Sequence, residues 1–140
     1  MTLIVEPLDQ PNGLIVGHVC DKQRFLTLLS YDLGGQPTHA VENVGGKNVG
    51  NNATTVRGAV FAKDRPSQVI CQIRKKSIAV LVDGQVILSW EGDPSELSLG
   101  DYWKTPNEQA LFLGAYDCRY RFSRITLTPV DSSKEEEKKK

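Results

Sequence analysis

The stretch VICQIRKKSIAVLVDGQVILSW, Val69 to Trp90, decides the fold class of this chain. It contains three short apolar runs, Val69–Ile73, Ile78–Val82 and Val86–Trp90, split by Arg74-Lys75-Lys76-Ser77 and by Asp83-Gly84-Gln85. Val, Ile and Leu dominate each run and none reaches helical length, so each reads as a strand. Asp-Gly tolerates the positive φ angles of a tight hairpin. The whole stretch therefore predicts a β-meander.

Working outward, the same punctuation recurs on both sides. Upstream, Leu3-Ile4-Val5 and Leu14–Val19 read as strands divided by Pro7 and Pro11-Asn12-Gly13. Phe25–Tyr31 is a longer apolar run, ambiguous on periodicity between a buried strand and two helical turns, and the spacing of its neighbours favours strand. From His39 to Arg57 the chain is rich in Asn and Gly, which predicts a long irregular surface connection with a brief strand near Ala40–Asn43. Thr54–Phe61 resumes a strand pattern. Downstream, Glu91-Gly92-Asp93-Pro94 is a turn, and Ser95–Leu99 suits one helical turn capped by Asp93 or Ser95. Leu111–Tyr116 and Arg121–Thr128 are the last strand patterns. In the latter, Tyr120 and Phe122 alternate out of phase with Ile125 and Leu127, and a bulge near Ser123-Arg124 would turn all of them toward the core. Short strands with frequent turns and no ordinary amphipathic helix predict an all-β sandwich.

The chain has 140 residues, enough for one hydrophobic core. Residues 1–130 read as that single domain, and 131–140 as a disordered charged tail without apolar residues. Basic and acidic side chains number 17 each. This balance gives no global attraction to nucleic acid or to an anionic membrane. No apolar stretch is long enough to span a bilayer, and no signal segment is recognisable, so neither nucleic acid nor membrane insertion is expected. Cys20, Cys71 and Cys118 are odd in number and widely spaced, which favours a reduced, cytoplasmic setting while leaving a Cys20–Cys118 bridge open. Cys71 shares the phase of Val69 and Ile73 and reads as a small core residue.

The residues also resemble a family. The series Ile78-x-Val80-x-Val82-Asp83-Gly84, Ile87-x-x-Trp90-x-Gly92-Asp93-x-x-x-Leu97-Ser98, Trp103-x-x-Pro106, Leu111-Phe112-Leu113-Gly114 and Phe122-x-x-Ile125-x-Leu127-x-Pro129 is similar to the concanavalin A-like, laminin-G-type jelly-roll modules. More narrowly, it looks like those found in large planctomycete proteins. Leu14-x-Val16-Gly17, Tyr31-Asp32 and Asn52-x-Thr54-Thr55-x-Arg57-Gly58 extend the resemblance, which covers roughly Leu14 to Val130. It implies a two-sheet antiparallel jelly roll; such modules carry an N-terminal strand region before the part matched here, so the expectation is either a sandwich lacking that edge strand or one in which Leu3-Ile4-Val5 replaces it. It also implies a lectin-like module that binds a glycan or another protein domain without catalysis; the alternative is a purely structural or protein-interaction domain of a larger chain.

Fold resemblance does not define a site, so the candidates rest on their chemistry. A glycan site needs an aromatic ring to stack on a sugar face, with polar groups beside it to bond hydroxyls. Tyr102, Trp103, Tyr116 and Tyr120 lie in or beside turns, with Asn51, Asn52, Asp101, Asp117 and Arg119 in neighbouring loops. Of these, Asn52, Asp101, Tyr102, Trp103, Tyr116, Asp117 and Arg119 are the ligand-binding candidates. Core packing competes for every aromatic residue, most of all Trp90.

The enzymatic alternative is Glu91-Gly92-Asp93-Pro94-Ser95-Glu96, whose Glu-x-Asp-x-x-Glu pattern resembles the acidic motif of jelly-roll glycosidases. A retaining mechanism needs two carboxyl groups about 5–5.5 Å apart. Gly92 and Pro94 favour a turn instead, with Asp93 capping a short helix. A calcium ion held by Asp93, Asp101 or Asp117 would suit the wider fold family and the ion's preference for oxygen, but no dense acidic loop supports it. His18 and His39 have no metal-binding spacing and read as surface or strand-end residues. Arg74-Lys75-Lys76 reads as a solvated hairpin tip.

Overall fold

A computed structural model describes residues 1–20, 22–100, 103, 105–107 and 109–129. The expectation for the tail 131–140 lies outside these residues, as do the candidates Asp101 and Tyr102. The chain forms β1 (Thr2–Pro7), β2 (Leu14–Cys20), β3 (Gln23–Leu33), β4 (Gln36–Val41), β5 (Asn43–Val44) and β6 (Val56–Arg57). The meander follows as β7 (Ser67–Arg74), β8 (Ser77–Val82) and β9 (Gln85–Glu91). A 3-10 turn, Pro94–Glu96, leads to β10 (Leu97–Ser98), β11 (Phe112–Ala115) and β12 (Tyr120–Thr126).

These strands make a β sandwich. One five-stranded sheet runs β12-β1-β7-β8-β9 and the other β11-β2-β3-β4-β6, with β5 and β10 as a small separate pair. All strand pairs are antiparallel. We call the two sheets the meander sheet and the groove sheet. The Asp-Gly hairpin forms as the sequence predicts, with φ of 50° at Asp83 and 83° at Gly84. The Asp83 carboxylate accepts from Gln68 N–H at 2.9 Å, which ties the hairpin to the start of β7.

The shared core lies between the sheets. Leu3, Val5, Val69, Cys71, Ile78, Val80, Val82 and Leu88 of the meander sheet meet Leu14, Val16, Phe25, Leu29 and Val41 of the groove sheet. Strands β1 and β8 alternate buried and half-buried residues along their whole length, because only one of their faces is fully covered. Cys71 is a buried core residue, as its phase predicts, and burial pushes its thiol up to about 11. Cys71 and Cys118 are free thiols, so no Cys20–Cys118 bridge forms. The segment Leu3-Ile4-Val5 lies inside the meander sheet, where β1 pairs with both β12 and β7.

Several expectations are corrected. Thr54–Phe61 is strand only at Val56–Arg57. Thr54 uses its hydroxyl to accept from Val41 N–H, Gly58 turns the chain at φ 133°, and Phe61 enters the core without a strand. The brief strand near Ala40–Asn43 is longer and begins earlier, as β4.

The bulge in β12 is present: Ile4 pairs with Arg124 and Val5 with Phe122, so Ser123 is the extra residue. It brings Ile125 opposite Leu3, yet Ile125 and Leu127 stay 59% and 61% exposed. β12 is the outermost strand of its sheet, and its contribution to the core ends with Tyr120 and Phe122.

Both histidines are buried rather than exposed. His18 packs on Phe25 with ring centroids 5.1 Å apart, and its Nε2 bonds the Thr27 hydroxyl at 3.0 Å. His39 Nδ1 accepts from Ser30 N–H at 2.9 Å, and its Nε2 donates to the Gly58 carbonyl at 2.6 Å. Ser30 has φ of 60° and sits where β3 bulges against β4, so the imidazole caps a backbone amide that the ladder leaves out.

Candidate functional site

The groove sheet has a second apolar layer on its outer face. β2 is buried from Leu14 through His18, and β3 from Phe25 through Ser30, without the alternation of a one-sided strand. Such continuous burial requires cover on both faces. The outward residues Ile15, Leu26 and Leu28 form a separate buried cluster beneath Tyr31, Val49, Leu99, Trp103 and Phe112. Gly17 belongs to this packing. A Cβ at that position would lie 2.1 Å from the Phe112 ring, so the ring can rest on the β2 backbone only because residue 17 is glycine.

Beside this layer opens a groove of about 360 Å³. β3 supplies Leu28, Tyr31 and Leu33, and Glu42 follows the end of β4. Asn48 and Val49 come from the Asn/Gly-rich connection, Trp103 from the segment after β10, and Tyr116 from the turn after β11. The Tyr31 and Tyr116 rings approach with centroids 5.7 Å apart at 54°. Tyr116 is half exposed, so part of its ring is available to a ligand.

The Asn/Gly-rich connection is shaped by internal hydrogen bonds. Asn52 is buried: its Nδ2 donates to the carbonyls of Val41 at 2.8 Å and Lys47 at 3.1 Å. Its Oδ1 accepts from the Thr54 amide at 3.0 Å and the Thr54 hydroxyl at 2.6 Å. Asn52 thus uses both ends of its amide to hold the loop that carries Asn48 and Val49.

Glu42 fastens the groove from the other side. Only 3% exposed, it accepts at Oε1 from Asn43 Nδ2 at 2.9 Å and from Gly100 N–H at 3.0 Å. One carboxylate therefore joins the end of β4 to the segment that bears Trp103. Oε2 is buried, with the Trp103 indole beside it. Burial raises the Glu42 pKa above the ordinary carboxyl value, and the Gly100 amide and the Trp103 indole oppose that rise.

Of the sequence candidates, Trp103 and Tyr116 come together on the groove. Asn52 stands behind it as an internal strut. Asp117 lies in the turn after Tyr116, at φ 54°. Arg119 is exposed and binds both carboxylate oxygens of Asp9, at 2.9 and 3.0 Å.

Glu91, Asp93 and Glu96 do not alternate along one strand. Glu91 ends β9, Asp93 caps the 3-10 turn by accepting from Ser95 N–H at 2.9 Å, and Glu96 closes that turn. The bond from the Ser95 amide lowers the Asp93 pKa. Among the described residues, no group of three or more His, Cys, Asp or Glu side chains could hold a metal ion. No helix among them is long and apolar enough to cross a membrane.

Tyr31, Glu42 and Asn48 are groove residues that the pattern of aromatic residues beside turns does not reveal. The signal that could have found Tyr31 is the unbroken apolar run of β3, which demands a covered outer face. No family model, no curated protein and no solved structure matches this chain.

Proposed function

We propose that the domain is a noncatalytic binding module of the concanavalin A-like jelly-roll kind, and that its groove takes a carbohydrate. The observation that carries this reading is the set of three aromatic side chains, Tyr31, Trp103 and Tyr116, sharing one concave surface with the polar groups of Asn48 and Glu42. Aromatic faces accept the C–H face of a pyranose, while amide, phenol and carboxyl groups bond its hydroxyls. The groove volume lies within the usual range for small-ligand sites.

A domain that only contacts another protein is the rival within the binding class. A glycan array probed with the wild-type chain and with Trp103→Ala and Tyr116→Ala separates the two. The carbohydrate reading expects binding to a restricted set of glycans and a loss of at least ~tenfold in each variant. Absence of binding to every sugar, with an unchanged melting temperature, leaves the protein-interaction reading. The glycosidase alternative based on Glu91, Asp93 and Glu96 has no observation in its favour. Hydrolysis of a β-glucan that disappears in Glu91→Gln would be needed to restore it.

A further inference from the structure

We infer that Glu42 makes the groove selective by charge, admitting neutral or amino-bearing sugars and excluding anionic ones such as uronates and sulfated sugars. The inference rests on the carbohydrate reading of the groove and adds the class of sugar.

The charges along the lining decide the matter. Among the described residues that line the groove, Glu42 is the only charged side chain, and none is basic. The Asn48 side chain is a neutral amide. Arg119 is paired with Asp9, Arg24 donates to the Thr105 hydroxyl at 2.7 Å, and Lys47 is exposed to solvent, and none of the three lines the groove.

A carboxylate or sulfate entering the groove would therefore face a buried acid with no compensating cation among the described lining residues. Water cannot screen that repulsion as it does at an open surface, so the site rejects the anion. A neutral hydroxyl meets no such penalty, and an ammonium group would be attracted. Discrimination arises from this unfavourable encounter as much as from attraction to the accepted sugar. Glu42 can perform this task because it is fixed in place. Its Oε1 bonds to Asn43 and Gly100 leave the side chain little freedom to swing away from an approaching anion.

The test uses the full 140-residue chain at pH 7.5 on an array carrying matched neutral, 2-amino, uronate and sulfated forms of the same oligosaccharides. Wild type is compared with Glu42→Gln, whose amide oxygen can keep both Oε1 bonds, and thermal melting checks that the variant remains folded. The quantity read is the ratio of neutral to uronate binding, so that a change in absolute affinity does not confuse the result. The expected ratio is at least ~tenfold in wild type, falling several-fold in Glu42→Gln. A wild-type protein that binds uronates as well as their neutral counterparts overturns the charge selection while leaving the carbohydrate reading intact. So does a ratio that the substitution leaves unchanged. Failure of every sugar to bind a folded wild-type protein removes both readings together.

Discussion

The two sheets share one core but differ on their outer faces. β8 of the meander sheet alternates, with Ile78, Val80 and Val82 buried and Ala79 and Leu81 half-buried between them. β3 of the groove sheet does not alternate: Leu28 and Leu29 point to opposite faces and both are buried. A strand buried on one side needs only a partner sheet, whereas a strand buried on both needs further chain to cover it. Here that cover comes from the connection carrying Val49 and the segment carrying Leu99 and Trp103. The groove opens where this cover is incomplete. The difference between the sheets therefore accounts for where the groove lies: over the sheet whose outer face the loops cover.

Truncating neighbouring residues puts the sharpest strain on that comparison. Leu29→Ala should cost about 2–5 kcal/mol in urea unfolding, because it opens a cavity in the shared core. Leu28→Ala should fall in the lower half of the same range of about 2–5 kcal/mol, because the outer cluster is also packed. On the meander sheet the paired substitutions should be unequal, with Val80→Ala costly and half-buried Leu81→Ala much less so. A Leu28→Ala effect as small as that of Leu81→Ala would mean that the outer layer of the groove sheet contributes little.

Acid should also distinguish the sheets, because both histidines of the chain are buried in the groove sheet, on β2 and β4. Desolvation depresses both, and His18 falls to about 3. A histidine that resists protonation when folded but accepts a proton when unfolded favours the folded state above its unfolded pKa. As pH drops below about 6.5 the unfolded state gains the proton first, so stability is lost progressively toward the folded value. The melting temperature should therefore fall through this window, and His18→Gln should flatten the dependence. An equal slope in the variant would show that His18 does not control acid sensitivity, leaving His39 and the carboxylates as its source.

A smaller effect is expected at the outer layer itself. Gly17→Ala would drive a Cβ into the Phe112 ring and should cost about 1–3 kcal/mol by displacing that ring from β2. Chemical denaturation measures the loss. Pairing it with Phe112→Ala gives the mechanism, since the penalty for alanine at 17 should largely vanish once the ring is gone.

Much of the sandwich is legible in the sequence because one-sided strands announce themselves by alternation and turns by Asp-Gly, Asn and Pro. The meander, the Asp83-Gly84 hairpin, the Asp93 cap and the β12 bulge all follow from local rules. The groove is only half legible. Trp103 and Tyr116 stand beside turns and attract notice as aromatic residues. Glu42 follows an apolar strand and looks like an ordinary surface acid; its burial depends on Gly100, fifty-eight residues away, donating to it. Asn52 illustrates the opposite error, since a loop asparagine suggests a ligand contact until its amide is found bonded to Val41, Lys47 and Thr54. Long-range hydrogen bonds of this kind leave no local pattern. The same is true of the exposure of Ile125, where the alternation gives the facing but cannot tell where the opposite sheet stops.

The smallest expected effect tests the plain side of the comparison. Val86 lies on β9, the outermost strand of the meander sheet, opposite Leu81 on the outer face, and is 61% exposed. Val86→Thr keeps the β-branched shape and replaces one methyl with a hydroxyl that water can solvate, so the strand keeps its preference and no buried group loses a partner. Unfolding free energy should change by less than about 0.5 kcal/mol, and glycan binding not at all. A loss several times larger would mean that this outer face is also covered by something, and the asymmetry that points to the groove would no longer single out one sheet.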